Sequence, residues 1–131
     1  MDKFVPISPE GEAMATQVVD AAFRVHSGLG PGLLEATYVA CLVYELKKRG
    51  LLVRTQVSVP LTYDEVHLQV GYRIDILVEE SIVVEVKAIE ALHPVHEAQV
   101  LTYLRFSEHR LGFLINFNVG LIKSGIRRLI L

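Results

Sequence analysis

Very little in this chain could tie it together covalently or anchor it in lipid. Its 131 residues include one cysteine, Cys41. No internal disulfide can form, so the expected location is a reducing compartment, the cytoplasm. The longest uninterrupted apolar run, Tyr38 to Tyr44, is seven residues. A membrane-spanning helix needs about 18–20, so no span is expected. The N-terminal stretch carries no apolar core of the kind a secretory signal needs. Repeats, low-complexity tracts and linkers are missing as well, which leaves a single domain over 1–131. Neither sign of charge dominates: 13 Lys plus Arg against 15 Asp plus Glu give a net −2. That balance excludes a bulk basic surface that wraps nucleic acid. It leaves room for a local acidic site that handles nucleic acid.

Apolar residues are plentiful, 51% of the chain against 21% charged, which rules out a disordered chain. Ser8 and Pro9 mark a helix start, with Glu10 and Glu12 at its positive end. Met14, Val18, Ala22 and Val25 continue it as a stripe that should end near Ser27-Gly28. A second helix is expected from about Gly32 to Arg49, stopped by Gly50. The period then shortens to two. Val53–Tyr63, Val66–Val78 and Ser81–Ile89 read as three strands, with Pro60 at an edge or bulge. Pro94–Arg105 reads as a helix, and Leu111–Asn116 and Ile126–Leu131 as strands. The order ααβββαββ is an α/β (α+β) domain with helices on a central sheet.

Three sets of residues do not fit their surroundings. Glu35 shares a helix face with Tyr38, Val39, Leu42 and Leu46, so a carboxylate is expected on a buried stripe. It needs a partner, a proton or a metal there, unless connector N–H groups satisfy it as a first-turn residue. Second, a hairpin through Glu79-Glu80-Ser81 pairs Val78 with Ile82 and so sets Asp75 opposite Glu85 and Arg73 opposite Lys87. Tyr72, Ile74, Ile76 and Val78 should then share the other face of their strand. Two carboxylates about 5 Å apart repel by roughly 3 kcal/mol at an effective dielectric near 20. A hard divalent cation would relieve this, and Asp plus two Glu is a ligand set suited to Mg²⁺ or Mn²⁺. Neutralisation by Arg73 and Lys87 in a surface network is the alternative. Third, Gln99 and Tyr103 lie four apart on one helix face, placed to orient a nucleotide or a metal-bound water, or simply to pack.

Other patterns are discounted. Gly28 to Gly32 follows a helix, not a strand, and lacks a phosphate-loop lysine. His93 and His96 have no third ligand nearby for zinc. Cys41 has no readable base. His26 is either a helix-end cation or a site residue facing Glu35.

Taken together, these residues resemble the PD-(D/E)XK nuclease superfamily, and within it the small family marked by a GxxExxY motif. The motif reads Gly32-Leu33-Leu34-Glu35-Ala36-Thr37-Tyr38, and the acidic pair with lysine reads Asp75, then Glu85-Val86-Lys87. Gly71 to Asp75 is similar to the GxxxD element of RecB-like nucleases and Gln99 to Tyr103 to their QxxxY element. The likeness runs from about Val18 to Ile130 and includes Arg110 to Phe117. It departs at Ile74, where the superfamily name has proline, and at Gln56, where an acid is expected.

The resemblance implies a restriction-endonuclease-like αβββαβ core, a mixed sheet flanked by helices. It also implies a metal-dependent nuclease acting on DNA or RNA, which it would bind weakly without metal. Glu35, Asp75 and Glu85 would hold Mg²⁺ or Mn²⁺, with Asp75, Glu85 and Lys87 catalytic. Gln99, Tyr103, Tyr38, Arg73 and His26 would support the site or the substrate. A non-catalytic binding or assembly module that keeps the fold is the competing expectation, and hydrolysis of a phosphorylated small molecule a third. Cys41 and Tyr44 suggest an apolar patch on the second helix that could support a homodimer.

Overall fold

The computed structural model of the protein describes residues 5–131. The first four residues of the expected domain, and of the stretch read for a secretory signal, lie outside the described residues. Helix α1 (Pro9–Leu29) starts as its sequence dictates: the Ser8 hydroxyl accepts from the Gly11 N–H at 3.0 Å, and Pro9 needs no such partner. It passes through Gly28, because the left-handed turn falls on Gly30 (φ 68°), whose N–H donates to the His26 carbonyl at 2.7 Å. Helix α2 (Glu35–Lys48) begins later than expected, since Gly32 sits at φ 98° and Leu34 is still extended. Tyr38, Leu42 and Leu46 bury one face of it against the sheet. Its other flank meets α1, where Glu45 pairs with Arg24 at 3.4 Å. Cys41 packs partly against the core for the same reason. Of the two residues expected to offer apolar area to a second copy, only Tyr44 is exposed.

Strands β1 (Val53–Ser58), β4 (Arg73–Val78), β5 (Ile82–Lys87), β6 (Leu111–Asn116) and β7 (Ile126–Ile130) form one mixed sheet in the order β1-β4-β5-β6-β7. β5 and β6 are parallel, joined by helix α3 (Pro94–Ser107); the other neighbours are antiparallel. A 3₁₀ turn, Ile122–Gly125, leads into β7. The first two expected strands are each broken. Pro60 has no N–H to continue a ladder, and Gly71 turns the chain at φ 82°, so residues between them fold as a separate ribbon, β2 (Leu61–Tyr63) with β3 (Val66–Leu68). Removing that ribbon leaves ααβββαββ, within which the αβββαβ core is contained.

Two apolar layers hold the sheet. α1 and α2 cover Ile76, Val78, Val84, Val86 and Phe113. α3 covers Ile74, Leu77, Val83 and Leu114 on the other side. Gly112 lets α3 come close, because a Cβ there would lie 2.9 Å from Val100. Ile74 and Ile76 therefore face opposite layers, contrary to the strict alternation expected along β4. The flip falls at Asp75, which has no ladder partner on β1. Gln56, which would be that partner, is a non-glycine residue at φ 53°. The sheet is locally broken where the acidic residues sit.

Candidate active site at the parted strands

From their hairpin, β4 and β5 pair as expected through Val78↔Ile82, Leu77↔Val83 and Ile76↔Val84, and there the ladder stops. β5 stays with β6 as far as Lys87↔Asn116, so it is β4 that departs. Side chains take over the vacated hydrogen bonds. The Asp75 N–H donates to Glu85 Oε1 at 3.1 Å, and the Val86 N–H donates to Asp75 Oδ2 at 2.9 Å. The two carboxyls thus face each other across the gap, as the register requires. Each gives one oxygen to the partner strand's backbone.

Glu85 is 3% exposed. Burial first, and the facing Asp75 second, push its pKa up to about 9, so at neutral pH it holds a proton. Lys87 pulls in the opposite direction, at Glu85 and at Glu35 alike. Its charge is therefore felt by both acids, yet among the described residues neither Lys87 nor Arg73 forms an ion pair. The alternative, a four-residue surface network, is not built among the described residues. Arg73 is exposed at the start of β4, aligned with Ser58.

Glu35 is exposed, not buried. The stripe it heads is real, but α2 begins with Glu35 itself, and its first turn overhangs the layer that buries Tyr38. Its carboxyl is still held above the ordinary range, by partial desolvation first and then by Asp75. Glu35 and Asp75 line one groove of about 540 Å³ with Thr55 and Gln56. Among the described residues no three acids, histidines or cysteines close into a metal-sized cluster. The structure brings together the pair Asp75–Glu85 and sets Glu35 across a groove from it.

On the α3 side, Tyr103 is buried and accepts from the Gln99 amide at 3.2 Å. Its phenol is held above its usual pKa by burial, then by Glu85 and Asp75. Tyr38 acts elsewhere. Its hydroxyl donates to the Gly30 carbonyl at 2.6 Å and accepts from the Leu33 N–H at 3.1 Å, while its ring stacks on Phe117 at 4.7 Å. It clamps the loop that launches α2 and so positions Glu35. His26 is buried at the end of α1 and its Nε2 bonds the Val119 carbonyl at 2.7 Å. That contact fixes the loop after β6 and involves none of the acids.

Two asparagines that sequence reasoning missed tie these parts together. The buried Asn116 accepts from the Ile89 N–H and donates to the Ile89 carbonyl, at 3.1 and 3.0 Å, holding the chain just past Lys87. It also accepts from the Asn118 N–H, and Asn118 Oδ1 accepts from the Gly32 N–H at 3.1 Å. The exit of β5 is thereby linked to the loop before Glu35. Asn116→Leu strips both backbone groups of Ile89 of this partner and should cost about 2 kcal/mol in a urea unfolding experiment.

A wider groove, about 810 Å³, lies between α1 and β7 with Phe23, Phe113 and Ile126 in its walls. Its two acids, Glu12 and Asp20, are matched by two bases, Lys123 and Arg128, and Arg128 is paired with Glu12. Chemistry, not volume, locates the site at the parted strands.

A model of the PD-(D/E)XK nuclease superfamily matches residues 12–129. The chain belongs to that superfamily. Neither a curated protein nor a solved structure matches it. Three helices on a mixed five-stranded sheet are the architecture expected of a PD-(D/E)XK domain. Nucleic acid is the substrate class the superfamily implies. No helix among the described residues is long and apolar enough to cross a membrane.

Proposed function

We propose that the chain, as one domain, is a divalent-cation-dependent nuclease whose reacting centre is the gap between β4 and β5. The observation that carries this reading is the facing pair Asp75–Glu85 with Lys87 nearby and in no ion pair among the described residues. The donor set fits a hard cation: carboxyl oxygens only, in a pair so close that without metal one member, Glu85, keeps a proton. Asp75 and Glu85 would hold Mg²⁺ or Mn²⁺, with Glu35 approaching from α2. When bound, the ion supplies Lewis acidity, making water a better nucleophile and neutralising phosphoryl oxygens. Lys87 orients the attacking water or stabilises the charge that builds on the phosphorus oxygens. Gln99 and Tyr103 support the substrate strand. The Tyr38 clamp gives Gly32, Glu35 and Tyr38 a common mechanical purpose, which supports placing the chain in the GxxExxY family.

Incubation of labelled single- and double-stranded DNA and RNA with Mn²⁺ tests the reading, with chelator and with Lys87→Ala as controls. Cleavage that needs both the ion and Lys87 is expected. Equal cleavage by both proteins would overturn it. No cleavage by either, with Mn²⁺ binding weaker than millimolar by calorimetry, would make the domain a non-catalytic binding or assembly module.

A further inference from the structure

On the α3 side of the sheet lies a cavity of about 320 Å³, at the small end of the ~300–1,000 Å³ typical of ligand pockets, and its wall residue Tyr72 stands three residues before Asp75 in the chain. Leu61, Tyr72, Val95, Gln99 and Tyr103 line it, with no Lys or Arg among its wall residues. Tyr72 and Tyr103 stand edge to face, 6.3 Å apart at 60°. Tyr72 is exposed while Tyr103 is buried, so one ring offers a free face and the other closes the floor. Leu61 also begins the β2–β3 ribbon. The register Leu61↔Leu68 and Tyr63↔Val66, alternating with Thr62↔His67, puts Leu61, Tyr63, Val66 and Leu68 on one face. Tyr63 and Val66 on that face are exposed, as is Val95 at the cavity's rim. An apolar, tyrosine-bearing strip thus runs from the cavity onto the ribbon. A solvated surface has no physical need for it.

We propose that this cavity and the ribbon beyond it bind the bases of a single-stranded nucleic acid, one base stacking on Tyr72 and a neighbour on Tyr63. The inference deepens the nuclease reading and rests on it for the class of substrate. Stacked and paired bases inside a duplex cannot reach a side pocket, whereas splayed bases of a single strand can. Aromatic stacking is worth about 1–3 kcal/mol per base and is tolerant of sequence. For a chain of net charge −2 it provides a grip that does not depend on many phosphate contacts. Gln99, its amide nitrogen engaged with Tyr103, is positioned at the wall to meet a base edge.

The test is a fluorescence-anisotropy titration of short labelled DNA and RNA strands, a strand of the same length lacking bases, and a blunt duplex. It is run with wild-type protein in chelator and with Lys87→Ala in Mn²⁺. The single strand should bind at least about 10-fold tighter than the baseless strand or the duplex. Tyr72→Ala should weaken it about 5- to 150-fold, the range that the stacking energy corresponds to. Tyr72→Phe should restore it, and Tyr44→Ala, on α2, should change nothing. Tyr63→Ala gives a second, independent loss on the exposed ribbon. Equal binding of based and baseless strands in both conditions would overturn the proposal, as would a Tyr72→Ala protein that binds like wild type. Cleavage of the baseless strand at the rate of the based one would remove the base subsite while leaving the nuclease. Base-dependent binding with no cleavage by wild type would do the reverse.

Discussion

Lys87→Ala is expected to lower cleavage about 10²- to 10³-fold while leaving the melting temperature within a few degrees of wild type. The first half follows from what surrounds the ammonium group. Lys87 lowers the pKa of both Glu85 and Glu35, so its charge reaches both sides of the gap. It is tied to no carboxylate among the described residues, and its field remains available to a phosphate entering the site. The second half follows from the same freedom: a side chain with no ion pair to lose contributes little to stability. Single-turnover cleavage alongside thermal melting separates the two readouts. A large drop in melting temperature would make Lys87 a structural residue and account for lost activity without chemistry.

Glu85→Gln should do two opposite things, abolishing cleavage and making the protein more stable. In the folded chain the Glu85 carboxyl is pushed up to about 9; unfolded, it returns to its ordinary value of 4.5. Between those values the folded state holds a proton that the unfolded state releases. This contribution to stability is therefore complete below pH 4.5, declines as pH rises and is gone above about 9. At pH 7 the buried carboxyl costs about 3 kcal/mol, which a neutral amide avoids. Glutamine keeps an oxygen for the Asp75 N–H, so the backbone bond survives. As a poorer cation ligand it should end Mn²⁺-dependent cleavage. Urea unfolding of both proteins at pH 5, 7 and 9 checks the sign: their difference should widen with pH. A constant difference would mean that Glu85 is already ionised in the fold.

The facing of Asp75 and Glu85 was legible because a hairpin with period two and a short turn leaves one register, and Val78↔Ile82 is that register. Ser8 and Pro9 were legible as local chemistry. The break in the ladder was not. It depends on Gln56 adopting a left-handed backbone, which a glutamine does not announce, and it reverses the faces of Ile74 and Ile76. Glu35 lay on the stripe its spacing requires, but burial depends on how far the helix projects beyond the sheet, and no periodicity records that. Asn116 left no trace for a different reason: its partner Ile89 is 27 residues away, and a lone asparagine in an apolar strand has no recurring pattern. The ribbon was half visible, in Pro60 and Gly71, once both are taken as breaks in their strands.

The side-chain bonds that span the gap between β4 and β5 have a consequence for how the site is loaded. Asp75 and Glu85 are already employed as substitute rungs of the sheet, each accepting from an amide of the strand opposite. A cation that draws on those oxygens competes with the protein's own backbone for them. Occupancy of the centre and closure of this end of the sheet are thus one equilibrium viewed from two sides. The amide protons of Asp75 and Val86 sit at its fulcrum, and their exchange with solvent would report filling of the site before any bond in a substrate is broken.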